Sequence, residues 1–189
     1  MTVEQILIVV LIPLSVLCLI ALLYYLLGNV YKGLVTRKNK VDSSWNELRK
    51  GYVKTLNLIP SLIQNVTMTQ EEKENFTFVY KSYKKMDLDK IGTDDFVSLI
   101  VAYLNEFNNI SEKNSENDTV KFIKEAFRNA KFSIPFYNYN VDIYRKFRNL
   151  PINILMAHMF NFMEVDNFVL KDYSQGNTTL DLRVDNFKY

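Results

Sequence analysis

Histidine and cysteine, the side chains most often used as neutral-pH bases, nucleophiles and transition-metal ligands, occur once each in this chain. Its single histidine, His158, stands among Met156, Met159 and Phe160. That apolar setting predicts a packed ring rather than a proton-transfer group or a metal ligand. Its single cysteine, Cys18, falls inside an uncharged run, so no disulfide framework is expected. Without a His/Cys cluster, zinc and copper sites are not expected either. Carboxylates occur as the adjacent pairs Glu71-Glu72 and Asp94-Asp95. Neighbours on a helix do not face each other, and both pairs stand where a helix would begin, so they complement a helix dipole better than they serve acid–base chemistry. The five glycines form no phosphate-binding loop, and there is no Gly-x-Ser-x-Gly elbow. Lys81, Lys84, Lys85 and Lys90 crowd one segment, as a solvated face or as a patch drawn to anionic lipid headgroups. Trp45 is the only tryptophan; it is either a core anchor or a stacking surface for a ligand. No catalytic set, metal site or cofactor is predicted from these residues.

The elements that would position such groups read as helices. Ile6–Leu27 carries no charged side chain and is 22 residues long, and about 20 residues suffice to cross a bilayer. The segment before it lacks Lys and Arg, and Leu17 rather than a small residue precedes Cys18. Both features argue for an uncleaved anchor over a signal peptide or a lipoprotein site. Lys32, Arg37, Lys38 and Lys40 follow the run, whereas only Glu4 precedes it. Basic residues are retained on the cytoplasmic side. The reading is a single pass through the cell membrane, residues 1–5 outside and the main domain cytoplasmic. Gly28 and Gly33 are expected to soften the exit from the membrane.

Beyond the anchor, Arg37–Val66 sets the pattern. Val41, Trp45, Leu48, Tyr52, Leu56, Ile59, Ile63 and Val66 recur three or four residues apart, as on one face of a long helix. Pro60 should kink or divide that helix. Thr69 with Glu72 three residues later predicts a capping box at the start of a second helix, ending near Asp87. Thr93-Asp94-Asp95 starts a third, carrying Phe96, Leu99, Ile100, Tyr103, Leu104 and Phe107. Asn108–Asp118 reads as a loop. A fourth helix carries Val120, Ile123, Phe127, Ala130 and Ile134, is interrupted at Pro135, and continues through Tyr137, Val141 and Tyr144. Ile154–Phe168 is apolar but too short to span, so it packs on the bundle or lies at the membrane surface; if its apolar residues need lipid, trimming the chain after Leu150 should improve solubility. Residues 171–189 read as a polar, mobile tail. A net charge of +2 with 13 Phe and 12 Tyr gives packing area but no basic platform for nucleic acid.

Asn39, Val41, Trp45, Leu48 and Tyr52, followed by Leu58-Ile59-Pro60 with Leu62-Ile63 and Val66, resemble the signature of the LemA family. A second block, Tyr137-Asn138 with Val141 and Tyr144, then Leu150-Pro151 with Asn153, Ile154 and Ala157, is similar to the family's Tyr-Asn-x-x-Val-x-x-Tyr-Asn and Phe-Pro-x-Asn-x-x-Ala elements. Arg145 stands where the second Asn is usual, and the middle of the chain lacks the usual Glu-x-Tyr-Pro. The resemblance implies an all-α protein, a transmembrane helix at 6–27 and an antiparallel up-and-down bundle of about four helices over 28–170. It implies a bacterial, non-enzymatic, envelope-associated scaffold whose partners are the bilayer and other membrane proteins. Two other readings are an enzyme with a carboxylate site inside the bundle, and a peripheral sensor binding anionic lipid through Lys32, Arg37, Lys38, Lys40, Lys81, Lys84 and Lys85.

Overall fold

In a computed structural model that describes residues 3–87 and 92–170, with side chains from Leu11 onward, the backbone from Val3 to Leu56 is one uninterrupted helix, α1. It is followed by α2 (Ile59–Asn65), α3 (Gln70–Lys85), α4 (Thr93–Lys113), α5 (Asp118–Lys131), α6 (Ser133–Arg148) and α7 (Pro151–Met159). The described residues are all-helical apart from turns, short connections and the irregular stretch after α7. Lys90, the tail 171–189 and its Leu180-Leu182-Val184 alternation lie outside the described residues. The chain forms two compact units: Met1–Lys40 with Ile143–Val165, and Val41–Asp142 with Asp166–Tyr189.

The first unit contains the apolar run. Pro13 lies inside α1 without ending it. From Leu11 to Leu26 the large apolar side chains are 48% to 82% exposed, and none of the most apolar window is buried. A core helix of a soluble protein would bury such residues against protein. This helix is long and apolar enough to cross a membrane, and it offers those side chains no protein partner.

Gly28 and Gly33 do not soften α1, which runs through both. Gly33 instead admits a neighbour: a Cβ there would meet the Phe147 ring at 2.6 Å, while nothing lies within 4 Å of the same point at Gly28. Arg37 covers the Phe147 ring at 3.7 Å and donates to the Gly33 carbonyl at 3.1 Å. α7 begins with Pro151 in its first turn, where a missing N–H costs nothing. It ends on Asn161 with φ 55°. Phe162 N–H donates to the Ala157 carbonyl at 2.8 Å and Asn161 N–H to that of His158 at 3.4 Å, the Schellman arrangement.

In the second unit the stripe of α1 is buried at Val41, Leu48, Tyr52 and Leu56. Trp45 is half-buried on the same stripe, and Ser44 beside it takes the more enclosed position at 1% exposure. Ser44 and Thr55 can be buried there because their hydroxyls donate back to the carbonyls of Val41 and Tyr52, at 2.9 and 2.7 Å. Pro60 divides the helix rather than kinking it: α1 stops at Leu56 and Pro60 lies in the first turn of α2. Ile63 is half-buried and Leu62 fully buried in its place.

Thr69 and Glu72 form the expected capping box, 3.2 and 2.8 Å for its two bonds. Asn108–Asp118 is not a loop. α4 continues to Lys113, because Ile110 and Ser111 extend the buried face of Tyr103 and Phe107 while the polar residues between them face outward. The turn is Asn114–Asn117, and Asn117 caps α5 by accepting from the backbone of Thr119 and Val120. The break before α6 falls at Phe132, not at Pro135, which sits in the first turn of α6.

Candidate functional site

The groups with the most chemical potential do not converge. His158 is exposed in the last turn of α7, not packed. The apolar neighbours in sequence misled because Met156 and Ala157 point inward while His158 and Met159 point out. Asp94 and Asp95 are exposed in the first turn of α4. Glu72 is engaged at the start of α3: it accepts from Lys113 Nζ at 2.8 Å and from its own cap. The Lys113 hydrogen bond, then the cap, hold its carboxyl below the usual carboxylate range. Among the described residues no three His, Cys, Asp or Glu side chains gather as a metal site would need. A shallow open hollow is lined by Gln70, Lys73, Glu74, Thr77, Phe78 and Lys81, all on α3, so it is one helix surface rather than a cleft between elements.

The basic residues divide similarly. Lys32, Lys40, Lys81 and Lys85 are exposed and Lys38 is half-buried. Arg37 is committed to Phe147. Lys84 lies back over the rings of Tyr80 and Tyr83, at 5.3 and 5.0 Å, and reaches Asn57 Oδ1 at 3.5 Å.

What the second unit does bring together is an aromatic cluster. The Trp45 ring meets Phe96 at 5.5 Å, Tyr137 at 5.6 Å and Phe168 at 6.0 Å. Tyr52 meets Phe96, Phe127 and Phe168 at 6.1 to 6.3 Å. Burial pushes the phenols of Tyr52 and Tyr103 well above the ordinary tyrosine range. Phe168 enters the cluster from the extended segment, 0% exposed. Asn138 holds its backbone at both ends, donating to the Phe168 carbonyl at 3.0 Å and accepting from its N–H at 2.8 Å. Tyr137 donates to the Asp166 carbonyl at 3.1 Å.

In the first unit, Tyr144 donates to the Met163 carbonyl at 2.7 Å and Arg148 to that of Phe162 at 2.9 Å. Asn153 closes the α6–α7 turn on the Phe147 carbonyl at 2.7 Å. Tyr137, Asn138 and Tyr144 are thus main-chain clasps. Val41, Leu48, Ile59 and Val141 are core, Leu58 and Pro60 shape the start of α2, and Pro151 starts α7. Asn39 is exposed and joins none of them.

Three structural residues escape a pattern reading. Gly51 lets α5 approach α1: a Cβ would lie 3.2 Å from both Cα and Cβ of Ala130. A glycine inside a strong helical stripe is the signal that could have marked it. Phe168 and Arg148 carry no periodic signal at all. On the outside, Phe132, Phe136 and Tyr139 recur at helical spacing and are 71%, 60% and 52% exposed.

No family model matches the chain, and no curated protein or solved structure is significantly similar to it.

Proposed function

We propose that this chain is a single-pass membrane protein of the LemA type, N-terminus outside, whose helices over Val41–Asp142 form an up-and-down bundle in the cytoplasm that serves as a non-enzymatic scaffold for another envelope protein. The observation that carries the interaction role is the row Phe132, Phe136 and Tyr139. Three large aromatics, Phe132 in the turn before α6 and Phe136 and Tyr139 on α6, each more than half exposed, are costly to leave in water and typify a protein-binding face. The signature residues Trp45, Tyr52, Tyr137, Asn138 and Tyr144 support a structural role for the resemblance, since each packs or clasps the chain itself. The basic flank at Lys32, Arg37, Lys38 and Lys40 supports the orientation.

A photo-crosslinker at Phe136 in native membranes tests the role. One discrete protein adduct is expected, lost in Phe132→Ser/Tyr139→Ser while helicity is retained. Absence of a discrete adduct refutes the scaffold reading. Protease added outside intact cells should spare the domain; its digestion there refutes the orientation.

A further inference from the structure

We propose that α7 and the turn after it are a second membrane contact, an interfacial element inserted at the headgroup–acyl boundary of the leaflet that α1 leaves. The proposal rests on the transmembrane reading of α1. α7 is sided: Asn153, Met156 and Ala157 are buried within the first unit. Leu150, Ile152, Leu155, Met159, Phe160 and Met163 are 50% to 68% exposed. From Leu150 to Met163 there is no carboxylate, Lys or Arg, and His158 is the only titratable group. A short helix with a bare apolar face and no charge is poorly suited to water.

Its position selects lipid as the occupant. The Phe160 and Phe162 rings pack on Tyr31 of α1 at 4.9 and 5.9 Å. Tyr31 lies four residues past Leu27, the end of the uncharged run, and directly before Lys32, the first cation. At about 1.5 Å per residue that is roughly 6 Å beyond the hydrocarbon edge. The headgroup layer is about 5–7 Å thick on each side. The end of α7 is therefore fastened to α1 at headgroup depth, where an apolar helical face is buried by the bilayer itself. The Tyr31 ring, half aromatic and half hydroxyl, suits that layer. Nearby charges are compatible: Glu164 stands 3.9 Å from Arg145, and Arg148 is turned onto the Phe162 carbonyl.

The test uses the full chain with Cys18→Ser, reconstituted in phosphatidylcholine/phosphatidylglycerol vesicles and carrying one nitroxide at a time on Ile152→Cys, Leu155→Cys, Leu17→Cys or Phe122→Cys. Collision rates with lipid-soluble oxygen and with a water-soluble nickel chelate are compared. At Leu155 and Ile152 oxygen should dominate several-fold, at a depth shallower than Leu17. The exposed Phe122 site on α5 should favour the chelate. If Leu17 is deep but Leu155 and Ile152 behave like Phe122, the interfacial contact is refuted and the anchor stands. If both are shielded from oxygen and chelate alike, protein covers the face and the proposal is equally overturned. If Leu17 is itself in water, the anchor reading fails and the interfacial contact falls with it.

Discussion

Replacing Phe168 by alanine removes the one ring of the aromatic cluster that arrives from a non-helical segment. Burial is complete, and Trp45, Tyr52 and Phe96 surround the ring at 6.0, 6.1 and 6.4 Å. Truncating a buried Phe costs about 3–5 kcal/mol when the surroundings cannot relax. Here they can. Without the ring, the stretch around Asp166 and Phe168 is held by the Asn138 and Tyr137 hydrogen bonds, each worth about 0.5–1.5 kcal/mol net. Ordering each residue of backbone costs about 1–2 kcal/mol. The balance turns against docking, so the segment should release, and the loss should level off near the low end, about 3 kcal/mol. Urea unfolding of the full chain in detergent micelles, followed by circular dichroism, reads the loss. The emission of Trp45, the only tryptophan, reads the release, because Phe168 covers part of its ring. A red shift below the main transition is expected in Phe168→Ala and a smaller one in Phe168→Leu. A loss under about 1 kcal/mol with unchanged emission would show that the ring is not part of the core.

Gly51→Ala gains about 1 kcal/mol of helix propensity but drives a methyl into the Ala130 backbone, an overpacking that costs about 1–3 kcal/mol. A net loss in thermal unfolding is expected, against none for Gly28→Ala, whose added Cβ meets nothing within 4 Å; equal tolerance at both sites would disprove the close approach. The depressed Glu72 carboxyl contributes stability that is present above the unfolded carboxylate pKa of about 4.3 and is lost as pH falls through the lower folded value. Glu72→Gln should flatten that acid limb of the stability profile, and an unchanged limb would remove the Lys113 pairing from the account. Truncation after Leu150 takes Phe168 and its clasped neighbours with it, so it should weaken the helical transition rather than yield a better-behaved domain; an undiminished transition counts against the role of the segment.

The helices were legible where the apolar period was long and the start signals were local. Thr69 with Glu72, Thr93-Asp94-Asp95, and Pro60 each act over three or four residues, within reach of pattern. Asn108–Lys113 was not legible, because a mostly polar run can continue a helix when a single side, here Ile110 and Ser111, meets the core. Composition averages over the faces of a helix; burial does not. His158 fails for the same reason: its neighbours Met156, Ala157 and Met159 are apolar, but a 100° step per residue turns adjacent side chains to different environments.

Three polar side chains of α6 serve the course of the chain itself. Tyr137, Asn138 and Tyr144 spend their polar atoms on main-chain carbonyls and an N–H of the segment after α7. Such bonds recognise backbone, so they fix where that segment runs without regard to most of its side chains. The one side chain they deliver is Phe168, into a cluster that Trp45 and Tyr52 already frame. Bonds of this kind fix the course of the segment after α7. On the proposed scaffold and membrane-contact readings, recognition falls to side chains left outside the core. The side chains in question are the set Phe132, Phe136 and Tyr139 for the one and the set Ile152, Leu155 and Met159 for the other; Phe78 and Phe122 are exposed as well. Neither stabilises the fold it is displayed on. Polar substitution there should therefore change binding while leaving the unfolding transition in place, the opposite of what substitution in the motif should do.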